Sequence, residues 1–505
     1  MSRGVPPTPR PRLLAAAAAI CALAGTAGAA VVNVSTVSQL NNAVFNASSH
    51  DEIVIAPGDY YLSRQLEVRT SNLLIRGATG NRDDVRLHGS GMNTYGVNEG
   101  ICIGADYVTV RDLTLKDFHH NAVHIRAEND ADYALLSNVK TWDVGQRHVK
   151  GSGGGSAGAV SDHCVIEDVY MLQTTARADG NHHGDYIGGI DCMGVRDWII
   201  RDCVAEGIRG HFDGGNGAIF LWQGVEGVTI ERNRILGCVK GIALGNPSGP
   251  SSDIFTSPYH ATDVLIRNNF VLRGAWTTGN NIALELCNVK DVQVYNNTLY
   301  SDYAAYFRTL SIYDEDDPTG KVANLDIAAN LIRGRVWDHA DGDWSQAALE
   351  AAGNLFDTAG NVIVPAWFAD AASGDFHLTD QALAAIDAAG ALAEVPEDFD
   401  SVARGPNPDL GGDEFRWPGD VDGDNAVSYI DLGVLATRYG QTAGAGWADG
   451  DFTGDGAVGY VDLGILGTYY GWELPGAGAG RALPEPTAAA LLAIAGIGMI
   501  SRKRR

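Results

Sequence analysis

Eight of the thirteen histidines in this 505-residue chain fall between His119 and His211, and strong bases lie among them. "VHIR" (Val123 to Arg126) carries His124 and Arg126, and "RHVKGSG" (Arg147 to Gly153) carries His148 and Lys150. A lysine crowded by another cation is a candidate proton acceptor. Two unit charges about 4.8 Å apart, the spacing of neighbouring strands, repel by roughly 3 kcal/mol at an effective dielectric of 20. The neutral amine escapes that repulsion, which tunes the lysine toward general-base work. Lys150 is thus a candidate base, with Arg126, His124, His148 and Asp191 of "IDCM" as the charged and titratable groups that could work beside it. Loops add His119 and His120, then His182, His183 and Asp185 of "GNHHGDYIGG", then Arg209, His211 and Asp213 of "IRGHFDGG". Trp222, with Phe220 and Tyr313, offers apolar surface on which a sugar ring stacks.

A different chemistry lies near the C-terminus. "DVDGDNAVSYID" (Asp420 to Asp431) and "DFTGDGAVGYVD" (Asp451 to Asp462) are twelve-residue segments with oxygen ligands at positions 1, 3, 5 and 12, as in an EF-hand loop. The first offers Asp420, Asp422, Asp424, Ser428 and Asp431, the second Asp451, Thr453, Asp455 and Asp462. Each runs into an apolar-periodic segment. The duplicated loops and helices resemble a type I dockerin, which implies two calcium ions and a cohesin-type partner. Asn425 stands where position 6 is usually Gly. Thr453 replaces an acidic or amide ligand, so the second site is expected to be the weaker.

The basic residues form a site only if distant segments share one face, and a repeat in the middle of the chain supplies the means. "VTVRDLTL" from Val108, "WIIRDCVA" from Trp198, "VTIERNRI" from Val228, "VLIRNNFV" from Val264, "VQVYNNTL" from Val292 and "LDIAANLI" from Leu325 are one unit, with looser copies from Ala134 and Cys164. Apolar residues alternate with polar ones, as in a half-buried strand. The sixth place reads Leu113, Val139, Val169, Cys203, Asn233, Asn269, Asn297, Asn330. Four asparagines in register predict an amide ladder, which requires coils stacked directly on one another: a parallel β-solenoid. A second strand in each coil sets the outward columns. One is expected to run His124, His148, Asp191, Phe220, Ala243, Ala283, Ser311, and the other Arg126, Lys150, Met193, Trp222, Gly245, Glu285, Tyr313. This register turns Val149 and Arg147 inward and stacks Arg126 on Lys150.

Residues 31 to 415 resemble the right-handed parallel β-helix proteins of the pectate-lyase-like group. "TVSQLNNAVFNASSHDEIVIAPGDYYL" looks like that group's N-terminal helix and first coil, with Thr36 and Gln39 as a capping box. "DFDSVARGPNPDLGGDEF" (Asp398 to Phe415) looks like its closing segment. The resemblance implies attack on acidic polysaccharide. Lyases of the group use a Lys, Arg or His base with cations or calcium at the developing charge, whereas hydrolases need paired carboxylates. The local inventory favours the lyase, and the resemblance then implies Lys150 as base, Arg126 clamping the substrate carboxylate, and His148 or His124 protonating the leaving oxygen with Asp191 orienting an imidazole. A hydrolase would use Asp185, Asp191 and Asp213, but the paired-aspartate and Gly-His-Gly motifs of polygalacturonase-type hydrolases are missing. A non-catalytic surface protein that binds glycan or spaces modules is the remaining alternative.

The formal charge of −26 argues against nucleic acid and anionic membranes as partners. Arg3, Arg10 and Arg12 before the apolar run Leu13 to Ala24, with "AGA" at Ala27 to Ala29, read as a signal peptide. "LPEPTAAALLAIAGIGMISRKRR" (Leu483 to Arg505) resembles the PEP-CTERM sorting signal, which implies exosortase-type machinery and a cell-surface or extracellular destination. Cys164, Cys192, Cys203, Cys238 and Cys287 fall in strand-like stretches, where free thiols act as small buried hydrophobes; an exported protein also permits disulfides. The chain therefore divides into a leader (1–29), an all-β parallel β-helix with its closing segment (30–416), a small α-helical dockerin-like module (417–474), a linker (475–482) and a sorting or anchor tail (483–505).

Overall fold

The computed structural model describes residues 29–153, 159–178, 185–212, 214–246, 257–273, 282–301, 308–313, 322–338 and 343–473. The expected leader (save its last residue), the linker, the sorting tail, His182, His183 and Asp213 lie outside the described residues. Two compact units result, one spanning Met1–Val364 with Ala371–Asp375 and the other Pro365–Asp370 with Phe376–Arg505.

In the first unit the strands repeat coil on coil and pair in parallel. Leu135–Trp142 pairs with Thr109–Lys116 on one side and Val165–Leu172 on the other. Arg147–Ser152 likewise lies between Asn121–Arg126 and Gly188–Cys192. The strands gather into a 22-stranded and a ten-stranded parallel sheet, which is the architecture of a parallel β-helix. The third place of the repeat stacks Val110, Leu136, Ile166, Ile200, Ile230, Ile266, Val294 and Ile327 in one buried column. Each such side chain contributes about 1.5–3 kcal/mol by leaving water.

The fifth place turns the corner. Asp112, Asn138, Asp168, Asp202, Arg232, Asn268, Asn296 and Ala329 all have φ between 49° and 61°. Six of the eight are Asp or Asn, whose short polar side chains tolerate the left-handed region. The corner sends the sixth residue into the interior. There the expected ladder forms, with Nδ2···Oδ1 distances of 3.0, 2.9 and 3.0 Å along Asn233, Asn269, Asn297 and Asn330, and it runs one rung further, 2.8 Å on to Asn354. Each Oδ1 also accepts the preceding asparagine's backbone N–H. No buried amide in the row wastes its donors.

At the N-terminal end, the helix Val37–Phe45 begins at Thr36, whose hydroxyl accepts from Gln39 N. The reciprocal bond falls one residue earlier than expected: Gln39 Oε1 accepts from Ser35 N at 2.9 Å. Cys102, Cys164, Cys192, Cys203, Cys238 and Cys287 are all free and buried. No helix among the described residues is long and apolar enough to cross a membrane.

The second unit is held differently. In its closing segment, buried aspartates accept backbone N–H groups: Asp409 from Asp387 and Phe415, Asp413 from Leu378, Asp398 from Asp400 and Val402. Beyond it, the helices Tyr429–Arg438 and Tyr460–Tyr469 follow the two acidic loops. Val427, Leu435, Val458 and Leu466 form their shared core.

Candidate functional site

The ten-stranded sheet presents the candidate residues, but in a register shifted from the expected one. The observed column runs Cys102, His124, Lys150, Asp191, Phe220, Ala243, Glu285, Ser311. Lys150 thus takes the place expected for His148, and Glu285 that expected for Ala283, a slip of two residues in each strand. The cause is a corner at the strand start. His148 and Val149 are both fully buried, so two consecutive residues face inward and the alternation of a flat strand fails there. Val149 lies inside as expected.

His148 is therefore removed from the outer face. Its Nε2 donates to Gln173 Oε1 at 3.0 Å, and its Nδ1 lies 2.8 Å from the Thr141 hydroxyl. Burial pushes its pKa down to about 4, against smaller upward pulls from Gln173 and Asp143. A neutral imidazole sealed in the core cannot reach a polymer. Arg147, expected inside, is buried; it stacks over the Tyr186 ring at 3.5 Å and donates Nε to Asp191 at 2.9 Å. Asp191 also accepts from Asn216. It holds a guanidinium and an amide, so it does not orient an imidazole.

Arg126 is not stacked on Lys150 either; its register partner is Ser152. Its guanidinium reaches Glu67 at 2.9 Å and Glu99 at 3.1 Å, so carboxylates from the two preceding coils neutralise it. His124 lies beside it, with Nδ1 2.9 Å from Glu99 Oε1 and Nε2 2.8 Å from Ser152 Oγ. Burial raises the Glu99 pKa, but His124, Cys102 and Asn121 more than offset this and hold it well below the usual carboxylate range. Glu99, Cys102 and His124 offer ligand atoms within 4.8 Å of one another. The adjacent Arg126 guanidinium and the buried thiol, whose pKa is pushed up, oppose a metal ion there.

Lys150 differs from these neighbours. It is partly exposed, and no carboxylate among the described residues lies within ion-pair distance of it. Burial and then His119 lower the His120 pKa against an upward pull from Glu99, and Lys150 lies near enough to add a smaller downward push. His119 is a packing group: its Nδ1 donates to Met92 O and its Nε2 faces Arg177. Phe220 and Trp222 stack at 5.7 Å further along the same sheet. Asp185 ties its loop to that of the next coil by accepting from Phe212 N and Gly214 N. Arg209 is partly exposed, and His211 is exposed against the edge of Phe212.

Sequence reasoning missed Glu67, Glu99, Glu128 and Ser152. Glu99 opens "EGICI", whose apolar alternation matches "NAVHIR", and that alignment is the signal that finds it.

In the second unit, both acidic loops fold alike. The position-1 carboxylate accepts from the N–H groups of positions 4 and 6, and that of position 12 from positions 2 and 9. Position 6 is left-handed in both, at Asn425 (φ 62°) and Gly456 (φ 79°), so Asn425 serves where glycine is usual. In the first loop, oxygens of Asp420, Asp422 and Asp431 lie within 4.8 Å of one another. Burial pushes Asp420 up to about 6, with repulsion from Asp431 and Asp424 adding to it. Crowded acids of this kind fit a hard divalent cation. In the second loop the Thr453 hydroxyl is spent on Asp451, at 3.1 Å.

The fold and this outer face define the chain as a parallel β-helix protein. Solved structures with similar coils include pectate lyase Pel9A (12% identity, 77% of this chain and 96% of that one, TM-score 0.49) and an alginate lyase from Paenibacillus sp. (16%, 58% and 97%, 0.34). A mannuronic acid specific family 6 polysaccharide lyase from human gut microbiota is a third (12%, 61% and 76%, 0.37). No family model matches the sequence, and neither does any curated protein. The likenesses concern coil architecture; the assignment rests on the strand pairing itself.

Proposed function

We propose that the protein is an exported polysaccharide lyase that cleaves a uronate-containing glycan by β-elimination on the outer face of a right-handed β-helix. Right-handed coiling is the sense that parallel strands joined by crossovers adopt. The observation that carries the reading is Lys150: in a strongly acidic chain, it stands on the outer sheet with no carboxylate partner among the described residues, beside His120 and His124. A surface lysine of that kind is available to take the proton next to a uronate carboxylate. His120, partly exposed, is the better candidate for returning a proton to the leaving oxygen, since His124 is bound at both nitrogens. Arg126 contributes positive charge to the face, and Phe220 with Trp222 supports a stacked sugar. The hydrolase alternative is weakened at two of its three carboxylates, because Asp191 is committed to Arg147 and Asp185 to the backbone of the loop at 212–214; Asp213 lies outside the described residues.

Incubation with pectin, alginate and glycosaminoglycans, followed by absorbance of a new unsaturated uronate, tests the reading. The wild type is expected to generate that product from one polymer class, and Lys150→Ala to lose it. Product at the wild-type rate from Lys150→Ala overturns Lys150 as base.

The C-terminal loops are read as dockerin-like calcium sites. Asp420, Asp422, Asp424, Ser428 and Asp431 would hold the first ion, and Asp451, Thr453, Asp455 and Asp462 the second, weaker one. Bound calcium would neutralise the crowded carboxylates and fix the helix pair, which is then presented to a cohesin-type partner. The leader and the Pro-Glu-Pro tail support export and exosortase-type sorting to the cell surface.

A further inference from the structure

We infer that Ser152, His124 and Glu99 form an acyl-transfer triad, a second activity that removes carboxylic ester substituents from the polysaccharide. The choice of polymer rests on the lyase reading; the triad itself does not.

Three consecutive strands, Glu99–Ile103, Asn121–Arg126 and Arg147–Ser152, each contribute one member. Ser152 Oγ lies 2.8 Å from His124 Nε2, and His124 Nδ1 lies 2.9 Å from Glu99 Oε1. This is the connectivity of nucleophile, base and orienting acid. Glu99 is fixed in turn by Asn121 Nδ2 at 2.6 Å and by Arg126. An ionised carboxylate can only accept, so the ring proton belongs on Nδ1 and the Nε2 lone pair faces the serine. The acid and the imidazole are both largely withdrawn from solvent, at 14% and 8% side-chain exposure, and the hydroxyl is partly exposed. Strand-borne side chains locked by neighbours are the rigid mounting that such chemistry needs.

Glu128 adds a complication with a use. Its Oε2 lies 2.5 Å from Ser152 Oγ, so one hydroxyl proton has two acceptors. Glu128 is exposed on the single turn Ala127–Asn129, and the reactive arrangement is the one in which it yields the proton to His124. Ser152 Oγ then bonds to the ester carbonyl carbon while its proton passes to Nε2. The bond from that carbon to the alcohol oxygen breaks, and His124 protonates the departing alcohol. Water repeats the sequence on the acyl-serine, releasing a carboxylic acid and restoring the hydroxyl.

The full-length protein is treated with a fluorophosphonate probe, mapped by mass spectrometry, and assayed with p-nitrophenyl acetate. Ser152 is expected to carry the label, and Ser152→Ala to lose roughly 10³-fold or more of the ester hydrolysis. Glu99, a positioning residue, is expected to lower kcat with KM unchanged when replaced in Glu99→Gln. Glu128→Gln is expected to label at least as fast as the wild type. An unlabelled Ser152, or Ser152→Ala hydrolysing at the wild-type rate, overturns the triad. O-acetylated and methyl-esterified uronate polymers then distinguish the two ester sources; release from neither, with Ser152 labelled, overturns the substrate assignment alone. Absence of unsaturated uronate bears on the lyase reading and leaves the labelling unaffected.

Discussion

The solenoid's asparagine row and the closing segment of the C-terminal unit bury polar groups in different ways. In the solenoid, the buried row is made of neutral amides, and acids pair with arginines of a neighbouring coil, as in half-buried Glu167 with Arg201 and buried Glu231 with Arg267; Asp357, near the end of the coils, is a buried carboxylate that accepts backbone N–H groups. In the C-terminal unit, the buried acceptors are carboxylates serving backbone N–H groups. Asp409 is pushed up to about 8 and Asp413 to about 7, burial being the largest cause in both. A buried amide is indifferent to protons and metal ions. A buried carboxylate waits for one or the other. The coils should therefore hold across conditions that loosen the second unit.

Calcium removal is the largest way to sharpen this contrast. Chelation is expected to raise hydrogen exchange in the helices Tyr429–Arg438 and Tyr460–Tyr469, with a loss of about 4 kcal/mol if calcium is ordinarily near a thousandfold above its dissociation constant. The ladder residues should keep their protection; equal loosening of both units breaks the contrast. Next comes Asn297→Ala, which leaves Asn269 N without its side-chain acceptor and removes the amide that bonds the carbonyls of Ile266 and Tyr295. A cost of about 3 kcal/mol is expected in urea unfolding of the solenoid.

The pH responses should oppose each other. His148 has a folded pKa of about 4 against an ordinary 6.5, so the unfolded chain binds more protons between those values. Its contribution is complete above about 6.5 and is lost as pH falls toward 4, roughly 3 kcal/mol in all. Asp409 and Asp413 are raised from 3.8, so the folded unit binds more protons there. Their contribution is present at low pH and is lost as pH rises through 7 to 8. Thermal unfolding from pH 4 to 8 should show Asp413→Asn flattening the alkaline loss and His148→Gln the acid loss. Identical profiles for all three proteins would remove the pH argument. The smallest effect on stability is expected from Lys150→Ala, within about 0.5 kcal/mol by the same unfolding, since the side chain is partly exposed and holds no ion pair among the described residues.

What was legible follows from what repeats. The eightfold strand unit and its asparagine column are visible because every coil restates them, and the acidic loops because they occur twice. Asn354 was not, since its stretch "NLFDTAG" lacks the alternating strand that marks the other rungs. The outer register failed at "RHVK" for a local reason: two consecutive inward residues at a corner break a period of two. The Glu99–His124–Ser152 contacts were hidden because they depend on how many residues each intervening loop takes up. Alternation specifies which face a residue occupies, and coil-to-coil register specifies whom it meets.

The amide row also bears on how such a chain is made. Its links join residues only 24 to 36 positions apart, and each asparagine donates to the one that follows it in the chain. A polypeptide threaded amino end first through an export channel would thus satisfy one rung's hydrogen bonds with the next stretch to emerge. Assembly could keep pace with secretion, turn by turn, leaving only the newest turn in need of a companion.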